Sequence, residues 1–162
     1  MIRFIAALDN KNGIANDNGI PWQGKIPTDV AFYRDKTTNS NKLMGYVTYL
    51  EQDQTLAHGE NFVATSKSGD LRPGFKIVVD AREFLRTYKQ DIWVVGGAGL
   101  FTSTIDLADE LYLTKLESDF SCTKFFPEYE SSFERVNRSA PISEGGIKYC
   151  FEVWKRKSKT ID

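Results

Sequence analysis

The sequence predicts an α/β protein: one domain over residues 1–162, three-layered, with a mostly parallel sheet between helices. Three observations carry this. Apolar runs of strand length alternate with stretches of helical periodicity, the pattern of parallel strands joined by crossover helices. The first run, Ile2 to Leu8, is apolar almost throughout, as a strand covered on both faces requires. The last two runs have no helix between them, so an antiparallel strand closes the C-terminal edge. A chain of 162 residues can bury a sizeable core as one unit, and no internal repeat or linker divides it.

The elements follow in order. After the Ile2–Leu8 strand, the Asn-, Asp- and Gly-rich stretch from Asn10 to Gly19 reads as a loop. Pro27-Thr28-Asp29 opens a helix to about Thr37, with Thr28 as its candidate cap and Asp29 in its first turn. Leu43-Met44 is a short strand before Gly45, and a helix starts near Val47-Thr48. Asn61–Thr65 and Phe75–Val79 are strands. Ala81, Phe84, Leu85 and Tyr88 fall at helical spacing. Asp91 to Val95 is a β-branched and aromatic strand running into Gly96-Gly97, with a helix from Ala98 to Ile105 and a strand from Leu111 to Leu116. Phe133–Arg138 and Ile147–Lys155 are the closing strands, separated by Pro141 and Gly145-Gly146.

Composition excludes several classes of function. Lys and Arg number 21 against 22 Asp and Glu, so no global positive field draws in nucleic acid or anionic membrane. The basic cluster Lys155, Arg156, Lys157 and Lys159 reads as a solvated end. No apolar run has membrane-spanning length, and the short N-terminal apolar stretch lacks the flanks of a signal peptide. Cys122 and Cys150 read as reduced thiols. A cytoplasmic monomer is the expectation. The single histidine, His58, falls in a loop pattern, and G-x-S-x-G does not occur, so neither a metal centre nor a serine triad is expected.

Open parallel sheets bind ligands beyond the carboxyl ends of their strands. Ile14 to Asp29, Gly45 to Thr48 and Gly96 to Gly99 reach that edge. Gly96-Gly97-Ala98-Gly99, between strand and helix, is either a tight turn or a place where phosphate approaches open N–H groups. Gly45-Tyr46-Val47-Thr48 is a second such turn. Gly19 to Ile26 nearly spells a phosphate-binding P-loop. It fails because Ile26 replaces the magnesium-binding hydroxyl, Pro27 follows at once, and no strand precedes it. Asp29 either complements the helix dipole or, in a pocket, pairs with the amidine-like edge of a heterocycle.

Ile5-Ala6-Ala7, Asn18-Gly19-Ile20-Pro21-Trp22, Pro27-Thr28-Asp29, Met44-Gly45, Val94-Val95-Gly96-Gly97, Leu111-Tyr112-Leu113-Thr114 and Phe125-Phe126-Pro127 stand in the order and approximate spacing of dihydrofolate reductases. The chain resembles that family from Met1 to about Trp154. The resemblance implies eight strands, the last antiparallel, and four helices. It implies NADPH-dependent reduction of 7,8-dihydrofolate, with hydride delivered to pteridine C6 and a proton to N5. Asp29 would hold the pteridine N3 and 2-amino group and promote protonation at N5. Thr114 would hydrogen-bond to that carboxylate, and Trp22 would hold a water. Ile5, Ala6, Tyr33, Leu50 and Val95 would complete the substrate pocket. Ala7, Ile14 and Ile20 would lie at the nicotinamide, with Ile14 to Trp22 as a mobile covering loop. Gly45, Thr48, Gly96, Gly97, Ala98, Gly99 and Leu100 would cradle the pyrophosphate, Tyr46, Val95 and Phe101 would also contact the cofactor, and Ser66 with Lys67 would take the adenosine 2′-phosphate. Antifolates would be ligands of the same pocket.

The chain departs from the family pattern in four places. The arginine usual before the third strand, partner of the folate α-carboxylate, is absent from His58-Gly59-Glu60-Asn61; Arg34 and Lys36 are the nearby alternatives. Tyr46-Val47 replaces a basic residue at the second helix turn. Gln23 to Ile26 lengthens the stretch before Pro27, and Glu51-Gln52-Asp53 is polar where an apolar wall is usual. Two other readings therefore stay open: a same-fold reductase of a pterin or pyrimidine without the glutamate tail, and a pteridine- or nucleotide-binding module without turnover.

Overall fold

The computed structural model describes residues 1–51, 58–67 and 69–158. In chain order the elements are β1 (Ile2–Leu8), β2 (Gly13–Ala15), α1 (Pro27–Thr37), β3 (Asn41–Gly45), α2 (Tyr46–Leu50), β4 (Asn61–Ala64) and β5 (Phe75–Val78). There follow α3 (Ala81–Thr87), β6 (Ile92–Val94), α4 (Ala98–Thr104) with a 3₁₀ turn at Ile105–Leu107, and β7 (Glu110–Leu116). The chain closes through β8 (Lys124–Phe125), β9 (Phe133–Arg138), β10 (Ile142–Glu144) and β11 (Ile147–Arg156). Gln52-Asp53 and Lys159, read from the sequence as part of a polar wall and of a solvated end, lie outside the described residues.

The main sheet runs β10-β11-β7-β1-β6-β3-β4-β5. That path counts eight strands, as expected, but one of them, β10, stands in place of the predicted Phe133–Arg138 strand, β9, which pairs beside β10 along the ten-residue β11 as a ninth. All pairs from β7 through β5 are parallel; β11 is antiparallel to β7. β11 is not itself the edge, because β9 and β10 cover its outer side. Phe4, Leu8, Leu43, Val94, Leu111 and Leu113, all at 1% exposure or less, form the centre of the core. Each such burial contributes about 1.5–3 kcal/mol.

Three strands are missing from the sequence reading. The supposed loop from Asn10 to Gly19 contains β2, which pairs with β8 to make a small ribbon above the sheet. Asp9, buried at the end of β1, accepts the N–H groups of Lys11 (2.9 Å), Gly13 (2.7 Å) and Phe120 (3.1 Å), which fixes the turn that starts this ribbon. β10 folds back on β11 through Gly145-Gly146. The stretch before Pro27 is itself a turn, with the Lys25 N–H donating to the Trp22 carbonyl at 3.0 Å.

One feature of the register positions a cleft. On one side β1 stays paired with β7 as far as Leu8↔Lys115. On the other its pairing with β6 stops at Phe4↔Val94. Beyond that point the sheet splits, so Ile5, Ala6 and Ala7 face Val95 and Gly96 across a gap at the carboxyl edge.

Candidate active site

α1 begins where the sequence places it, but its cap differs. Pro27 occupies the first turn, where its missing N–H costs nothing, and the buried Ile26 precedes it. Thr28 does not cap, because it lies inside the helix and no side chain of the N-terminal residue bonds back. Instead the Glu144 carboxylate, delivered by the β10–β11 hairpin, accepts the Thr28 N–H at 3.1 Å and also its hydroxyl. Tyr149 donates its hydroxyl to the same carboxylate at 2.5 Å. These hydrogen bonds hold the Glu144 carboxyl below its ordinary range. The start of α1 is thus tied to the C-terminal hairpin.

This arrangement presents Asp29 at the cleft. Its carboxylate is half-buried and accepts a hydrogen bond from the Thr114 hydroxyl, on β7, at 2.6 Å. Thr114 stands beside Ala7 in the β1–β7 register, which sets the carboxylate next to the wall of the split sheet. Burial pushes the Asp29 carboxyl above its ordinary value, Thr114 opposes this, and the negative charge of Glu144 adds to it.

The cleft has a volume of about 720 Å³. Ile5, Ala6, Ala7, Asp29, Tyr33, Val95 and Thr114 surround one end, with Ile14, Ile20 and Trp22 above. Trp22 is fixed by an edge contact with Phe120, ring centroids 5.2 Å apart, and packs with Ile26, Leu116, Ile147 and Tyr149. At the other end lie Gly45, Tyr46, Thr48 and the run Gly96, Gly97, Ala98, Gly99, Leu100 and Phe101. Here the two strand-to-helix turns touch: the Gly45 N–H donates to the Gly96 carbonyl at 2.7 Å. Gly96 has φ +127, a conformation that side chains other than glycine's rarely adopt. Neither α2 nor α4 has a side-chain cap at its start.

Leu50, Ser66 and Lys67 do not line this cleft. Leu50 is exposed at the end of α2, and Ser66 and Lys67 are exposed after β4. The Lys67 amine lies 4.4 Å from the centre of the Tyr46 ring, which does line it. Conversely, Val30 and Lys124 line the cleft although the sequence gives neither a role. A Lys before the apolar pair Phe125-Phe126 gave no alternation to mark a strand, so nothing local flagged Lys124.

The whole arrangement has close counterparts. The family model described as Dihydrofolate reductase matches residues 1–156. The chain belongs to the dihydrofolate reductase family. It is 30% identical to the dihydrofolate reductase of Bacillus subtilis (strain 168) over 169 aligned positions, covering 99% of this chain and 97% of that one. It is also 30% identical to the dihydrofolate reductase of Buchnera aphidicola subsp. Acyrthosiphon pisum, covering 96% and 99%. A solved dihydrofolate reductase from Enterococcus faecalis, complexed with NADP(H) and RAB-propyl, superposes with a TM-score of 0.85 at 25% identity, covering 98% of this chain and 97% of that one. The chain is therefore an oxidoreductase by family, with the mixed α/β fold of a dihydrofolate reductase.

The departure at Gly59 also has a structural basis. Its φ is +84, and a Cβ there would lie 2.3 Å from the Ser40 carbonyl oxygen, so an arginine does not fit this backbone. A cation is nonetheless close by on the neighbouring strand. The buried Lys42 amine donates to the carbonyls of Thr37 (2.7 Å), Ser40 (2.5 Å) and, more weakly, His58 (3.4 Å). It ties the end of α1 to the turn before β4. Burial pushes this amine down to about 8.

Proposed function

We propose that this dihydrofolate reductase family member reduces 7,8-dihydrofolate to 5,6,7,8-tetrahydrofolate with NADPH, acting as a single-domain monomer whose pocket also accepts antifolates. The observation that carries the reading is the half-buried Asp29 carboxylate, hydrogen-bonded to Thr114 at 2.6 Å, at the apolar end of the cleft. A flat heterocycle inserted beside Ile5 and Ala6 meets this carboxylate with its N3–H and 2-amino group, two parallel charge-assisted hydrogen bonds.

The residues present fit a dinucleotide. The open backbone at Gly97 and Gly99, where an added Cβ would meet no atom closer than Thr48 Oγ1 at 3.7 Å, leaves room for a phosphate against N–H groups. In this reading Ala7, Ile14 and Ile20 hold the nicotinamide, Gly45, Thr48 and Gly96 to Phe101 hold the diphosphate, and Ser66 with Lys67 take the 2′-phosphate. When bound, NADPH supplies the hydride, which is received at pteridine C6. Asp29, raised by burial, favours the proton arriving at N5, so one hydride and one proton complete the reduction. Trp22 holds a water on the proton's route. Ile14 to Trp22 exclude bulk water from the stacked rings.

A second reading, reduction of a pterin without a glutamate tail, draws on Gly59, where no cationic side chain can be placed. One assay decides. NADPH consumption followed by absorbance is expected with dihydrofolate; consumption with an untailed dihydropterin alone would favour the second reading, and consumption with neither would overturn both.

A further inference from the structure

The charged residues lining the cleft, among those described, are Asp17, Asp29, Glu51 and Lys124. Three are acids. A cofactor carrying a diphosphate must therefore enter a cleft whose lining has one positive charge to offer. That charge is on neither strand-to-helix turn: the first turns of α2 and α4 are Tyr46-Val47-Thr48 and Ala98-Gly99-Leu100, with no Lys or Arg.

The placement of Lys124 gives it a direction. It lies on β8, paired with Ala15 of β2, so it belongs to the ribbon that leads into the segment above the cleft. One strand period further on, Phe126 is buried against Phe101 of α4, ring centroids 5.0 Å apart. The ribbon is therefore anchored on the helix whose first residues form the glycine turn. Lys124 is exposed and takes part in none of the ion pairs among the described residues. Lys67 lies on the opposite flank. The sheet order β1-β6-β3-β4 puts the Gly45 and Gly96 turns, at the ends of β3 and β6, between the β1-side ribbon bearing Lys124 and the β4-side loop bearing Lys67.

We propose that Lys124 is the counter-charge to the cofactor's diphosphate, supplied by the β2–β8 ribbon, while Lys67 serves the adenosine end. This rests on the NADPH reading above. It assigns the two charges to different parts of one ligand, and it makes the diphosphate a tether that draws the ribbon toward the glycine turns.

The two lysines are separable because NADPH and NADH share the diphosphate and differ in the 2′-phosphate. Kd values for both are measured by quenching of intrinsic fluorescence, at low and high salt, for wild type, Lys124→Gln, Lys124→Arg and Lys67→Gln. Lys124→Gln is expected to weaken NADPH and NADH by the same factor, about tenfold at low salt, and to flatten the salt dependence of both. Lys124→Arg should bind within about twofold of wild type, since an exposed diphosphate contact needs charge more than shape. Lys67→Gln should weaken NADPH alone. Unchanged affinity in Lys124→Gln, a loss confined to NADPH, or an Arg variant as weak as the Gln variant would each overturn the assignment. Wild type binding neither dinucleotide would overturn the NADPH reading itself, and this inference with it.

Discussion

Asp29 is held by burial in a state that favours its neutral form. Its carboxyl is raised because burial disfavours the charge, and a raised acid holds its proton in the folded chain at pH values where the unfolded chain has released it. Stabilisation from this group is complete at low pH and is lost as pH rises through the folded pKa. Asp29→Asn should therefore match wild type in thermal midpoint at low pH and exceed it at neutral pH, while hydride transfer falls about a hundredfold to ten-thousandfold. The neighbours tune the same proton in opposite senses. Thr114 holds the carboxyl down and Glu144 pushes it up. The rate of reduction should fall as pH rises through the Asp29 pKa. Thr114→Val should move that fall to higher pH and Glu144→Gln to lower pH, as read from pH–rate profiles. Shifts in the same direction would separate the profile from Asp29.

The elements show why some of the fold was legible and some was not. α1 runs from Pro27 to Thr37 as its sequence predicts, because Pro at a helix start is a local signal. The apolar run Ile2–Leu8 likewise announces the central strand whatever pairs with it. β2, β8 and β10 are two or three residues long, and their existence depends on partners distant in sequence. The stretch from Asn10 to Gly19 reads as a loop and Gly145-Gly146 as a break between strands, but composition carries no record of pairing. The cap of α1 failed to read for the same reason: the acid that serves it, Glu144, is 116 residues away from Thr28. The glycine turn is a local signal again, and its backbone is testable. Gly96→Ala puts a side chain at φ +127 and should cost about 1–3 kcal/mol, seen as a lower urea midpoint at unchanged slope.

At the scale of the whole molecule, the cleft follows from the sheet parting beyond Phe4 and Val94. Motifs that lie far apart in the sequence, at Ile5, Asp29, Gly45, Val95 and Thr114, meet in that gap. Their residue types were readable and their convergence followed from the parallel-sheet rule, whereas Lys124 and Lys42 became visible only through tertiary placement. Lys42 carries its own prediction. Its amine, near 8 in the folded chain against 10.5 ordinarily, is more protonated in the unfolded chain between those values, so wild type should gain stability relative to Lys42→Met as pH rises from 8 to 10.5. Denaturant melts across that range read it directly. Whether Asp29 governs reduction in this cleft is decided by single-turnover hydride transfer from NADPH to dihydrofolate in wild type and Asp29→Asn at neutral pH, with NADPH affinity measured alongside. A loss of at least about a hundredfold in the transfer rate, with affinity nearly unchanged, is expected. Equal transfer rates in the two proteins would contradict that role.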